Sequence, residues 1–148
     1  MDEYYMSLAI EEAKKAAMLD EVPVGAVVVR DGEVIARGHN LRELMKDSTA
    51  HAEMLAIQEA CRTLGGWRLI NCDVYVTLEP CPMCAGALVS SRIRRLVYGA
   101  SDPKAGAGGS IYNILCDERL NHRIEVIPGV LEEECASLLR EYFRGKRK

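Results

Sequence analysis

The sequence predicts an α/β sandwich, with a five-stranded mixed sheet flanked by helices, on three observations. Two apolar runs, residues 25–30 (Gly-Ala-Val-Val-Val-Arg) and 33–37 (Glu-Val-Ile-Ala-Arg), are separated only by Asp31-Gly32, the signature of a tight antiparallel hairpin. Downstream of this hairpin, strand-like and helix-like segments alternate, which favours parallel pairing of the later strands. Helical periodicity marks both ends of the chain.

Taken in order, residues 3–19 place Tyr5, Ala9, Ala13, Ala16 and Ala17 at helical spacing, with Asp2 as the expected N-cap. The hairpin supplies the first two strands. Residues 50–64 read as a second helix, opened by Ser48 or Thr49, with Leu55, Ile57, Cys61 and Leu64 among its apolar positions. A strand at 74–78 follows, and Pro80 and Pro82 end it and open a third helix running through Ser91. Residues 95–98 form the fourth strand. Residues 99–109 are rich in glycine and read as a loop, 111–116 as a short helix, 124–127 as the fifth strand and 132–144 as the closing helix.

At 148 residues the chain is long enough to bury one sizeable core and too short for two, so 1–148 is expected to be a single domain with one active site. With 49% apolar and 28% charged residues, the composition is that of a globular protein rather than a disordered one. No apolar run approaches the roughly 20 residues of a membrane span. The acidic start, Met-Asp-Glu-Tyr-Tyr, does not resemble a secretory signal, so a cytoplasmic location away from the membrane is expected. Six cysteines in such a chain are expected to be reduced. Cys61, Cys72, Cys116 and Cys135 stand alone and read as small buried hydrophobes. Only Cys81 and Cys84 are spaced for chemistry.

A net charge of −3 argues against a generic nucleic-acid binder. The charge is unevenly spread. Residues 1–59 carry 12 acidic and 6 basic side chains, whereas residues 60–148 carry 10 and 13. The basic excess includes Arg92, Arg94, Arg95 and the tail Arg144, Lys146, Arg147 and Lys148. That tail reads either as a solvated terminus or as a surface for an anionic partner.

The informative cluster is His51-Ala-Glu53, followed one strand later by Pro80-Cys81-Pro-Met-Cys84. Each half alone is weak, because a C-x-x-C pair also serves redox chemistry or half of a structural zinc site. A closed structural site would need a fourth ligand, and no cysteine or histidine has comparable spacing. Three ligands beside a carboxylate suit a catalytic zinc instead, since the fourth position must stay open for water. Cys81 and Cys84 share one face of a helix start, where the dipole favours thiolate. On a regular helix His51 and Glu53 would diverge, so His51 is expected at the very start of its helix. Two thiolates and a neutral imidazole cancel the charge of Zn2+. Water in the open position is then acidified less than at a site of three neutral histidines, and Glu53 is expected to act as the general acid and base. The alternative is a solvent-facing glutamate favoured by the dipole.

H-x-E with P-C-x-x-C is the signature of the zinc nucleobase deaminases. The resemblance extends through Glu21-Val-Pro-Val-Gly-Ala26, Asn40, Thr49-Ala-His-Ala-Glu53, Tyr75-Val-Thr-Leu-Glu-Pro-Cys81, Met83-Cys-Ala-Gly-Ala87, Ser91-Arg-Ile93, Gly99-Ala100, Asp102, Lys104 and Asn121-His-Arg123. Over nearly its full length the chain resembles the bacterial tRNA-specific adenosine deaminases. That resemblance implies the three-layer cytidine-deaminase-like sandwich, one zinc per chain, a homodimer, and conversion of the wobble adenosine in an arginine tRNA anticodon loop to inosine. It also implies that Asn40 and the backbone N–H of Ala52 hold the flipped base, that Asp102 and Lys104 face its neighbours, and that Phe143 and Arg144 lie near the anticodon loop. From the residues alone, Asn40 reads equally as a turn residue and Phe143 as a core anchor. The rivals are a free-base or nucleotide deaminase of the same fold, of the guanine or cytosine class, and a catalytically idle zinc module that binds RNA.

Overall fold

The computed structural model describes residues 1–146; Arg147 and Lys148, the end of the basic tail, lie outside the described residues. Helix α1 (Asp2–Met18) leads into the hairpin β1 (Gly25–Arg30) and β2 (Glu33–His39), then a single turn α2 (Arg42–Met45) and helix α3 (Ala52–Leu64). Strand β3 (Cys72–Leu78), helix α4 (Pro82–Ser90), strand β4 (Arg95–Ala100), strand β5 (Glu125–Ile127) and helix α5 (Glu132–Lys146) complete the order. The strands form one sheet in the order β2-β1-β3-β4-β5. β1 is antiparallel to both β2 and β3, whereas β3, β4 and β5 run parallel.

Side chains alternate across this sheet as strand geometry requires. Ala26, Val28, Val74, Val76 and Leu96 face α3 and α4, and Val27, Val29, Tyr75 and Val97 face α1 and α5. The result is three layers, the architecture expected of the sequence, with a core on each face of the sheet.

Two glycines set how closely the helices lie. A Cβ on Gly25 would fall 2.1 Å from the carbonyl oxygen of Ala9 in α1, and one on Gly38 would fall 2.5 Å from the carbonyl oxygen of Ala52 in α3. The face that α3 turns to the sheet is accordingly small, with Ala52, Ala56 and Ala60 fully buried. The sequence pattern had pointed to Leu55, Cys61 and Leu64 as core positions. They are only half-buried: the positions of α3 that meet Gly38 are Ala52 and Ala56, and of the expected apolar positions Ile57 alone is buried.

Other local expectations are corrected. The N-cap of α1 is Met1, not Asp2, whose carboxylate instead accepts hydrogen bonds from Tyr75 (2.7 Å) and Arg95 (2.9 Å). Ala17 is exposed. Neither Ser48 nor Thr49 caps α3; His51 occupies the N-cap. Residues 111–116 form turns and a bridge between Gly108 and Asn113 rather than a helix, because their backbone N–H groups pair back onto residues 106 and 107. The four-residue α2 carried no periodic signal. Cys72 and Cys135 are buried, but Cys61 and Cys116 are only half-buried; all six cysteines are free thiols.

Antiparallel pairing of β1 with β3 brings the start of β1 and the end of β2 to the edge where β3 and β4 terminate. The carboxyl edge of parallel strands is where α/β sheets bind ligands. Replacing Gly38 with alanine should therefore cost about 1–3 kcal/mol, the scale of overpacking. Chemical denaturation would show it as a lower midpoint at unchanged slope.

Candidate active site

At that edge the chain turns twice from an extended residue into a helix. His51 is the N-cap of α3 (φ −80°, ψ 154°) and Cys81 the N-cap of α4 (φ −74°, ψ 172°), with Pro82 in the first helical position. Because an N-cap side chain leaves the helical track, His51 and Glu53 reach the same space despite being two residues apart. Cys84 follows one turn into α4 and is fully buried.

The ligand atoms His51 Nδ1, Cys81 Sγ and Cys84 Sγ all lie within 4.8 Å of one another, the one such group among the described residues. The nitrogen is 3.7 Å from Cys81 Sγ and 3.5 Å from Cys84 Sγ. A tetrahedral ion bonded to sulfur at about 2.3 Å and to nitrogen at about 2.05 Å needs S···N edges of about 3.6 Å. The three donors thus fit a metal, and the donor set leaves a fourth direction free of protein ligands.

The electrostatics divide the two cysteines. The Cys84 thiol, donating to Cys81, and then the His51 ring hold Cys81 far below an ordinary thiol, at about 3, against the opposing effect of burial. Cys84 keeps the proton and is pushed up in return. His51 is raised, chiefly by its bond to Cys81. Both cysteines sit at the start of α4, where unpaired N–H groups favour negative charge.

Beside this cluster Glu53 is almost fully buried, 4% exposed. Burial pushes its carboxyl up to about 7, although its own backbone N–H and the His51 charge pull the other way. A carboxyl poised there can take up and give back a proton near neutral pH. Glu53, His51, Ala52 and Cys81 line a cavity of about 480 Å³. That is ample for a nucleoside, since ligand pockets run from about 300 to 1,000 Å³.

Of the other residues singled out in the sequence, Asn40, Asp102, Lys104 and Phe143 also line this cavity, and Arg144 does not. Asn40 is buried. Its Nδ2 donates to the Val22 carbonyl (3.3 Å), and its Oδ1 has no partner. A turn residue would satisfy its side chain locally, so this orphan acceptor marks Asn40 as part of the pocket. Phe143 is 46% exposed at the rim rather than a core anchor. Asp102 turns inward, its Oδ1 accepting the N–H groups of Lys104 (3.0 Å) and Ala105 (3.2 Å).

The structure adds residues that sequence reading passed over. Arg42 brings an exposed cation to the rim from α2, and Leu139 approaches from α5. Glu79, also at the cavity, is fully buried. In the sequence it stood only within the Tyr75–Cys81 stretch of the resemblance, an acid between an apolar strand and the Pro-Cys turn.

The profile of the MafB19-like deaminases matches residues 1–147. A tRNA-specific adenosine deaminase of Bacillus subtilis (strain 168) is 60% identical over 147 residues, covering 99% of this chain and 91% of that protein. The chain belongs to this deaminase family. Among solved structures, one from work on A-to-I editing by tRNA:A34 deaminases at the wobble position of transfer RNA superposes with a TM-score of 0.89 at 49% identity, covering 92% of this chain and 99% of that one. A guanine deaminase from Nitrosomonas europaea superposes at 0.83 with 30% identity, covering 95% and 83%. The same frame thus occurs in a protein described as a tRNA deaminase and in one described as a guanine deaminase. Membership makes the chain a hydrolytic deaminase, and the catalytically idle reading falls.

Proposed function

We propose that this protein is a zinc-dependent deaminase converting the wobble adenosine of a tRNA anticodon, in the arginine tRNA, to inosine. The observation that carries the chemistry is the convergence of His51, Cys81 and Cys84 beside the buried Glu53 at the floor of one cavity. For the substrate, the support is 60% identity to a tRNA-specific adenosine deaminase over 99% of the chain. Two exposed cations, Arg42 and Lys104, and the exposed ring of Phe143 surround the cavity mouth, as suits a base splayed out of a phosphate backbone. A free-base enzyme needs no such rim.

His51 Nδ1 and the sulfurs of Cys81 and Cys84 would hold one Zn2+. When bound, the ion supplies a Lewis acid and lowers the pKa of a coordinated water. The protein's own groups do the rest. Glu53 takes one proton from the attacking water and delivers it to ring N1 as the water oxygen bonds to C6. It then carries the remaining hydroxyl proton to the amino group, the C6–N6 bond breaks, and ammonia leaves as the C6 carbonyl forms. Water enters and ammonia departs. Oδ1 of Asn40 accepts from the nucleoside, the N–H of Ala52 is one that α3 itself cannot pair, and Phe143 offers a stacking face. Arg144, exposed next to Phe143 but outside the cavity lining, is assigned to the anticodon backbone beyond the flipped base. Such a reaction takes place where tRNA resides, in the cytoplasm; among the described residues no helix is long and apolar enough to cross a membrane.

One face of α4 supports reading the protein as a homodimer. Its outer side carries the exposed Pro82 and the half-buried Met83, Gly86 and Ala87 instead of charges. Among the described residues nothing lies within 4 Å of where a Cβ of Gly86 would be, so no contact among them explains a helical glycine costing about 1 kcal/mol relative to alanine. Close approach of a second copy would. Sedimentation should give a dimer for the natural sequence and a shift toward monomer for Gly86→Arg; a monomeric natural protein would remove this element.

Substrate class is tested by a panel of arginine tRNA anticodon stem-loop, free adenosine, cytidine and guanine, with mass-spectrometric detection of inosine, uridine and xanthine. The stem-loop should react far faster than any free compound, because remote contacts position the reacting carbon. Turnover of guanine or cytidine with an inert stem-loop would assign the free-base reading instead.

The proton-transfer role separates from metal binding in Glu53→Ala. That variant should keep one zinc per chain and lose turnover by a factor on the order of 10² or more. Near-normal activity would move the role to another group.

A further inference from the structure

Glu79 stands next to the metal turn yet contributes no ligand. Its side chain is 1% exposed, and its carboxylate is filled with donors from one loop. The N–H of Asp102 reaches Oε1 at 3.0 Å, the N–H groups of Gly108 and Ser110 reach Oε2 at 2.9 and 3.0 Å, and the Ser110 hydroxyl donates to Oε1. The loop is shaped around this group, for a Cβ on Gly106 would fall 2.4 Å from the Glu79 carboxyl carbon. The N–H of Ala107 bonds the carbonyl of Pro80 at 2.8 Å, fastening the same loop to the residue before Cys81. Ser101, Asp102, Pro103, Lys104 and Ala105 of this loop form one wall of the cavity.

A buried carboxylate is costly unless its lone pairs are used. Here every donor comes from residues 102–110, so the carboxylate is satisfied only while that loop holds a single shape. Asp102 then fixes the tip through its own turn. From these contacts we propose that Glu79 is a positioning residue for substrate: it sets the cavity wall formed by residues 101–105 in register with the metal turn, and thereby governs how the nucleotides flanking the reacting base are accepted. It touches neither the reacting atoms nor the metal. The substrate half of this proposal rests on the reading of the cavity as a pocket for adenosine in RNA; the loop half does not.

Glu79→Gln keeps the volume but replaces one acceptor oxygen with an NH2 group that faces N–H donors. In the zinc-loaded variant, zinc per chain should be unchanged. Hydrogen exchange at the amides of Asp102, Gly108 and Ser110 should quicken on the order of tenfold or more relative to the natural protein, as local opening becomes easier. On the arginine stem-loop kcat/KM should fall about 10- to 100-fold, the scale of a misplaced substrate, with KM carrying most of the loss. Preference for the natural flanking nucleotides over altered ones should shrink toward unity, an effect that lost stability alone does not produce. Ser110→Ala, which removes one donor and leaves Glu79 in place, should move exchange and flank preference in the same direction by less. If Glu79→Gln does not fold, that variant carries the test. The proposal is overturned if exchange in the loop is unchanged, if flank preference survives, or if activity is lost together with zinc. A natural protein inert toward the stem-loop would instead defeat the substrate reading, leaving the exchange measurement to decide whether Glu79 holds the loop.

Discussion

Three ligand atoms from two helix starts must meet within a few ångströms, and the rest of the fold serves that meeting. His51 and Cys81 are both N-caps, so each leaves its helix in an extended conformation and turns its side chain toward the other. The helices are held at the required separation by the sheet beneath them. Gly38 lets α3 lie directly on β2, and the turn at Pro80 starts α4 immediately after β3. Aligned N–H groups at both helix starts make the meeting point favourable for thiolate and for an ionised or proton-sharing carboxylate.

Three buried glutamates around this point show how environment divides one side-chain type into different tasks. Burial lifts the Glu53 carboxyl to about 7. Burial also pushes Glu79 upward, but hydrogen bonds from Ser110 and the N–H groups of Asp102 and Gly108 outweigh it and leave the carboxyl below its ordinary range. Glu21, 1% exposed, accepts the N–H groups of Glu43 (3.0 Å) and Leu44 (2.7 Å) and so ties down the turn carrying Arg42. Two of the three therefore brace segments that line the cavity, and the third, Glu53, lines the cavity itself beside His51 and Cys81. That arrangement is coherent with placing proton transfer on a rigid frame.

Much of this was legible in the chain. The Asp31-Gly32 hairpin, the alternation after it and the spacing of His51, Glu53, Cys81 and Cys84 follow from local rules: turn chemistry, period, and the ligand count of a catalytic metal. Those residues are informative because their meaning depends on neighbours a few positions away. The places where local reading failed are equally specific. Residues 111–116 have the composition of a helix, but pairing with residues 106 and 107 consumes their backbone donors. Leu55 and Leu64 of α3 looked like core, but the positions that meet Gly38 are Ala52 and Ala56, while Ile57 is buried as expected.

What the sequence by itself determined is the candidate chemistry: three residues of metal-ligand type and a carboxylate beside them, since each depends on residue type at short spacing. What only the tertiary structure decided is how the cavity is walled. Asn40 became a pocket residue because its Oδ1 is buried without a partner, and Phe143 became a rim residue because α5 leaves it exposed over the opening. Asp102 lines the cavity while its Oδ1 also caps its own loop, and Glu79, which in the sequence stood only within a longer motif, accepts four hydrogen bonds from that loop. Each of these depends on contacts between segments more than twenty residues apart, or on which way a side chain turns once those segments are packed. No local pattern in the chain encodes such contacts.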